Sequence, residues 1–155
     1  MPFKPNDFTQ VNLPLNELMI SRVVRFLSPQ PHERIADLFC GLGNFTLPLA
    51  TRCANIFGIE GSAELTRRAV ANARANGIGN IRFVTANLFD MTTDAWAKLG
   101  RFDKLLIDPP RAGAYAVVQS LHAPFLPQKI VYVSCNPATF ARDAAVLADK
   151  GYTFR

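Results

Sequence analysis

Cys135 lies between an apolar run and an Asn-Pro pair, in Val131-Tyr132-Val133-Ser134-Cys135-Asn136-Pro137-Ala138-Thr139-Phe140-Ala141-Arg142-Asp143. The run reads as a strand, Asn136 as a helix cap and Pro137 as the first helical residue. A cysteine at a helix N-terminus has its thiolate favoured by the macrodipole, and the thiolate is the nucleophile. The other two thiols read differently. Cys53, in an apolar stretch, is expected in the core, and Cys40 is expected to pack beneath a glycine loop. Three cysteines without a Cys-x-x-Cys pair argue against a disulfide framework and against a structural zinc site, so no metal is expected.

That glycine loop is the second constellation. Ile35-Ala36-Asp37-Leu38-Phe39-Cys40-Gly41-Leu42-Gly43-Asn44-Phe45-Thr46 runs from a strand through two spaced glycines into a helix. Glycines there bring the backbone close under a ligand and leave N–H groups free at the helix start. A second strand ends at Glu60, whose carboxylate is placed to accept hydrogen bonds from both ribose hydroxyls of an adenosine. A dinucleotide and S-adenosylmethionine both fit this arrangement. The dinucleotide fingerprint calls for Gly or Ala three residues after its second glycine, and here that residue is Thr46. S-adenosylmethionine has no pyrophosphate to cradle, and Asp37 and Asn44 suit its zwitterionic methionine end. Asn87, just after the third strand, is placed to read an adenine edge.

The third constellation is Leu106-Ile107-Asp108-Pro109-Pro110-Arg111-Ala112-Gly113. Ligands of open parallel sheets bind outside the carboxyl ends of the strands, so Asp108 and Arg111 are expected to face the crevice that Gly41 faces. The two prolines stiffen the loop, which helps hold a carboxylate against a planar substrate. A methyl donor beside a thiol has a chemical reason. Carbon 5 of a pyrimidine is a poor nucleophile until a thiolate adds to carbon 6 and makes the ring an enolate. A general base must then take the carbon 5 proton so that the thiolate is expelled. Both ring carbons can be reached only in an unstacked base, so the substrate is expected to be a flipped or single-stranded pyrimidine nucleotide.

Short apolar runs at 34–39, 55–59, 81–85, 104–107 and 129–133 alternate with amphipathic stretches, which predicts an α/β fold built on a mostly parallel sheet. Leu15, Met19, Val23, Phe26 and Leu27 recur at helical spacing, as do Leu65, Ala69, Val70 and Ala73, and both stripes are expected in the core. Ser62 is expected to cap the second of these helices and Gly77 to end it. The 155 residues form one domain, with a lead-in segment and helix over 1–31 and the cofactor-binding core over 32–155. A net charge of +5, spread along the chain, favours a polyanionic partner. No run approaches the roughly 18 apolar residues of a membrane span and no signal peptide is evident, so the chain reads as soluble and cytoplasmic with no membrane partner.

Taken in order, the Asp37-to-Thr46, Asp108-to-Gly113 and Ser134-to-Thr139 motifs resemble the RNA uracil-5-methyltransferases, most of all the bacterial 23S ribosomal RNA branch. The resemblance covers residues from about Asp7 to the end. It implies a Rossmann-like class I methyltransferase fold using S-adenosylmethionine, with Cys135 the covalent nucleophile toward uracil carbon 6. It further implies cofactor contacts at Gln10, Phe39, Asn44, Glu60, Asn87 and Asp108. Phe8 matches a family segment at the active-site mouth, where it would stack on the target base or else staple the first helix. Arg111 would stabilise the enolate, grip a phosphate or form a salt bridge.

The chain also departs from the family pattern. An N-terminal RNA-binding barrel and a cysteine-rich iron–sulfur segment are absent, so a cluster is expected only in a longer protein. No residue matches the stretch that supplies the family's glutamate base, which implies a sheet truncated before its last strands and a base beyond Arg155. The expectation is an RNA methyltransferase fragment that binds cofactor and forms at most a stalled RNA adduct. Residues 129–133 would be an open edge strand prone to self-association. Two other readings stand beside this one: a methyltransferase acting on an exocyclic amine, which would not need Cys135, and a non-catalytic RNA-binding module.

Overall fold

The computed structural model describes residues 12–155. Its first helix, α1 (Leu13–Leu27), starts where the Asn12 side chain accepts the Leu15 N–H at 3.2 Å and ends at Ser28, whose left-handed backbone turns the chain out of the helix. Strands β1 (Arg34–Leu38), β2 (Asn55–Glu60), β3 (Ile81–Thr85), β4 (Lys104–Ile107) and β5 (Lys129–Tyr132) alternate with helices α2 (Thr46–Ala50), α3 (Ala63–Ala75), α4 (Thr93–Leu99), α5 (Tyr115–Ser120) and α6 (Pro137–Asp149). A short 3-10 turn, Leu88–Asp90, follows β3. The strands form one parallel sheet in the order β3-β2-β1-β4-β5, the doubly wound arrangement that alternating strands and helices dictate.

The pleat sends alternate residues to opposite faces, and each face has its own core. Ile35, Ile56 and Leu106 pack with Val23, Leu27 and Leu49 beneath α1 and α2. Ala36, Leu38, Leu105 and Ile107 pack on the other side with Trp96 of α4, Val117 and Val118 of α5 and Leu147 of α6. The central strands are buried on both faces, which is why they read as unbroken apolar runs. Register brings Leu38 opposite both Ile59 and Ile107, and Ile107 opposite Tyr132. The residues that follow these four strand ends therefore lie in a row along one edge of the sheet.

The predicted strands and helices appear, with corrections to three strand ends and to one helix face. β1 stops at Leu38 rather than residue 39, because Phe39 takes a positive φ of 62° that no strand tolerates. β2 extends one residue further, through Glu60, and β5 one residue less, to Tyr132. The α1 stripe is core only in part. Val23 and Leu27 are buried, but Leu15 is 49% and Phe26 63% exposed, since helical spacing selects a face without fixing how far the neighbouring layer extends under it. Ser62 and Gly77 behave as expected. The Ser62 hydroxyl accepts the Leu65 N–H, and Gly77 leaves α3 at φ 67° with Ile78 N–H closing on the Ala73 carbonyl. No helix among the described residues is long and apolar enough to cross a membrane.

Candidate active site at the carboxyl edge of the sheet

Asp37, the fourth residue of β1, is completely buried. Its Oδ2 accepts the Thr46 hydroxyl at 2.6 Å, and its Oδ1 has no hydrogen-bond partner among the described residues. Burial raises its carboxyl to about 7. The Thr46 hydrogen bond opposes the rise, and the nearby Asp108 and Glu60 carboxylates add to it. An orphaned, buried carboxylate oxygen at a glycine loop is an invitation to a cationic group.

The loop itself is held from several sides. Phe39 and Gly41 both have positive φ, 62° and 54°, and a Cβ built on Gly41 would meet no atom within 4 Å, so the backbone there borders open space. Glu60, half-buried at the end of β2, accepts the Gly41 N–H through Oε2 and the Ser62 N–H through Oε1, each at 3.0 Å. Asn44 and Asn16 exchange side-chain amide hydrogen bonds at 3.0 and 2.9 Å, which ties the loop to α1. Asn72 of α3 donates to the Leu42 carbonyl at 3.2 Å. Gly43 differs from Gly41: it is buried, and a Cβ there would run into the Leu47 side chain, so it serves packing within the loop.

Asp108 follows β4, next to the end of β1, and its N–H donates to the Leu38 carbonyl. Burial raises its carboxyl to about 6. Arg111 is exposed and its guanidinium has no partner among the described residues, while its carbonyl accepts from both Asn136 Nδ2 and Thr139 Oγ1 at 3.0 Å. Cys135 is exposed in the turn between β5 and α6, where Asn136 caps the helix by accepting the Ala138 N–H and Pro137 is the first helical residue. The two loops thus face each other across the β4–β5 boundary with the thiol at their margin.

The remaining thiols are buried. Cys53 belongs to the α1/α2 core and Cys40 lies under the glycine loop; burial pushes the Cys40 thiol well up from the usual thiol range and raises that of Cys53. Asn87 sits after β3 as expected; Oδ1 accepts the Phe89 N–H and Nδ2 donates to Asp90 at 2.6 Å, which leaves one further acceptor and one further donor position on the amide. Phe89, 52% exposed, meets Phe39 edge-on at 5.6 Å and adds an aromatic wall that sequence reasoning missed. Phe8 and Gln10 lie outside the described residues. Asn16, Asn72 and Asp143 were also missed as supports. Asn16 and Asn72 lie within helices, where an amide without a local cap role was the available signal.

A family model for tRNA (Uracil-5-)-methyltransferase matches residues 2–152. A 23S rRNA (uracil(1939)-C(5))-methyltransferase, RlmD, of Neisseria lactamica is 63% identical over 98% of this chain and 34% of its own length. The protein of the same name from Aromatoleum aromaticum is 60% identical over 100% of this chain and 36% of its own. The chain therefore spans about a third of the length of the curated relatives it matches. Among solved structures, Pyrococcus abyssi tRNA (uracil-54, C5)-methyltransferase in complex with S-adenosyl-L-homocysteine superposes with a TM-score of 0.76 at 32% identity, covering 92% of this chain and 34% of that one. A precorrin-8w decarboxylase from Methanobacterium thermoautotrophicum, 18% identical with a TM-score of 0.77 over 97% of this chain and 77% of its own, shares the fold alone.

Proposed function

The chain belongs to the tRNA (uracil-5-)-methyltransferase family, and from that membership we propose that it is the catalytic part of an S-adenosylmethionine-dependent enzyme that methylates carbon 5 of a uridine in 23S rRNA in the cytoplasm. The observation that carries this reading is the placement of an exposed thiol, Cys135, on the same sheet edge as the Asp37, Gly41 and Glu60 cradle. Ribosomal rather than transfer RNA is favoured by relatives of 60% identity and above that are named for 23S rRNA, against 32% for the transfer RNA enzyme.

The residues fit the cofactor. The unpartnered Oδ1 of Asp37 suits its ammonium group, directly or through water. The open side of Gly41 leaves room for the ligand backbone, and the Glu60 carboxylate keeps lone pairs beyond its two N–H contacts for ribose hydroxyls. Phe39 and Phe89 offer an apolar surface for the adenine. When bound, S-adenosylmethionine supplies an electrophilic methyl group on a sulfonium.

Cys135 adds as thiolate to uracil carbon 6, forming the S–C6 bond while the C5=C6 electron pair moves into the ring enolate. Arg111, exposed and unpaired among the described residues, stabilises the enolate oxygen or holds a flanking phosphate. Asp108, kept in place by Pro109 and Pro110, orients the ring as an acceptor for its N3–H. Carbon 5 takes the methyl group, and loss of its proton to a base expels the thiolate. Of the other carboxylates around these loops, Asp143 is occupied by three donors and Asp37 and Glu60 are assigned to the cofactor, so we infer that none of these three takes the carbon 5 proton. β5 is paired on one side only among the described strands, which gives the chain a second copy of itself as a further partner, checked by sedimentation over a concentration series.

The test is an RNA carrying 5-fluorouridine. Its carbon 5 has no proton to lose, so the C6 adduct persists after methyl transfer whether or not a base is present. A covalent protein–RNA species that needs S-adenosylmethionine and disappears in Cys135→Ala is expected. Methylation that survives Cys135→Ala in the longest natural form of the protein would sink the covalent reading and favour an exocyclic amine target.

A further inference from the structure

Asp143, on the second turn of α6, is completely buried and takes no part in the chemistry above. Both of its oxygens are occupied. Oδ2 accepts the Ala114 N–H at 2.7 Å and the Tyr132 hydroxyl at 2.6 Å, and Oδ1 accepts the Arg142 guanidinium at 2.9 Å. Burial and the Asp143 acceptor together push the Tyr132 hydroxyl up, so it remains a donor. The desolvation cost of a buried carboxylate is offset by hydrogen bonds to its oxygens, and Asp143 has three donors on its two oxygens.

These partners belong to both reactive loops. Ala114 closes the loop that begins at Asp108, and Tyr132 is the last residue of β5, three before Cys135. The same helix grips that loop at two more points: Thr139 donates to the Arg111 carbonyl and Arg142 to the Ala112 carbonyl, each at 3.0 Å. Gly113, the next residue, has φ 77°, and a Cβ there would lie 2.8 Å from Asp143 Oδ2, so the loop backbone is pressed directly onto the carboxylate.

We propose that Asp143 is a positioning residue for methyl transfer, joining the Asp108–Arg111 loop, the end of β5 and the first turns of α6 into one rigid unit so that Arg111 and Asp108 face the base that Cys135 attacks. The proposal rests on the uracil-5 reading. Asp143 contacts none of the cofactor cradle at Asp37, Gly41 or Glu60, so its loss should slow the reaction without loosening the cofactor.

The test uses the full chain with Asp143→Asn and, because a buried change can unfold a domain, also Arg142→Met at a side chain 44% exposed. Three quantities are read: S-adenosylhomocysteine affinity by calorimetry, the rate of Cys135 adduct formation with saturating 5-fluorouridine RNA and S-adenosylmethionine, and the RNA concentration giving half that rate. The expected result is cofactor affinity within threefold of the parent chain, an adduct rate at least tenfold lower in Asp143→Asn and about threefold lower in Arg142→Met, and an unchanged half-saturating RNA concentration. Parent-like rates in both variants overturn the proposal, as does a parallel loss of cofactor affinity and rate, which marks a merely structural role. A parent chain that binds S-adenosylhomocysteine yet forms no adduct overturns the uracil-5 reading and this proposal with it, before any substitution is made.

Discussion

The Thr46 hydroxyl donates to the Asp37 carboxylate at 2.6 Å, and it is the side-chain partner of a group that is otherwise sealed from solvent with its second oxygen bare. This pair joins the fourth residue of β1 to the first residue of α2, across the glycine loop. It also sets how the site responds to protons. Asp37 titrates near 7 because of burial, and only its ionised form can pair with an ammonium group. S-adenosylhomocysteine affinity is therefore expected to rise as pH climbs from 5 through 7 and to level off near 8, with proton release on binding below 7. Calorimetry in buffers of different ionisation enthalpy measures this. An affinity flat over that range would refute the role of Asp37.

Asp37→Asn should separate stability from binding. The folded carboxyl is raised to about 7 from an ordinary 3.8, so the folded state binds the proton more tightly and stability falls as pH rises between those values. The amide removes that penalty, and Thr46 can still donate to its oxygen. At pH 8 the variant should be more stable by about 1–2 kcal/mol once the unpartnered amide N–H is set against the gain, and at pH 4 the advantage should vanish. Thermal unfolding at the two pH values checks the sign, while cofactor affinity drops.

Gly113→Ala should be among the most damaging single-methyl changes in the chain. The residue would have to hold φ 77° and place its Cβ 2.8 Å from both Asp143 Oδ2 and Arg142 Nη2, and 3.0 Å from Thr139 Cβ. The left-handed backbone and the overpacking together should cost about 2–4 kcal/mol. Urea unfolding reads the loss, and a change below half a kcal/mol would mean the loop is not docked on α6 as described.

Alkylation of the native protein should modify a single thiol quickly. Cys135 is exposed, whereas Cys40 and Cys53 are buried with thiols pushed up by desolvation. Mass spectrometry after brief iodoacetamide treatment should show one adduct, absent in Cys135→Ala, and three on unfolding. Rapid labelling of Cys40 in the folded chain would contradict the packing of the glycine loop.

Much of this was legible in the residues alone. The central strands β1 and β4 could be read because strands covered on both faces need apolar runs, and the caps at Ser62 and Asn136 could be read because capping is local chemistry. The three motifs, each just past a strand end, were legible for the same reason: a doubly wound sheet puts every such end on one edge. The sequence thus determined the fold class, the edge that carries the site and the thiol that stands there. Tertiary structure alone decided that Phe39 would leave β1 in a left-handed turn, that Gly41 faces open space while Gly43 faces Leu47, and that Leu15 and Phe26 stay exposed. It alone also decided the long-range pairings of Asn16 with Asn44 and Asp143 with Ala114, which join residues 28 and 29 positions apart. Periodicity and capping act within a few residues of the chain, whereas a hydrogen bond between distant loops exists only after the sheet has brought their strands side by side.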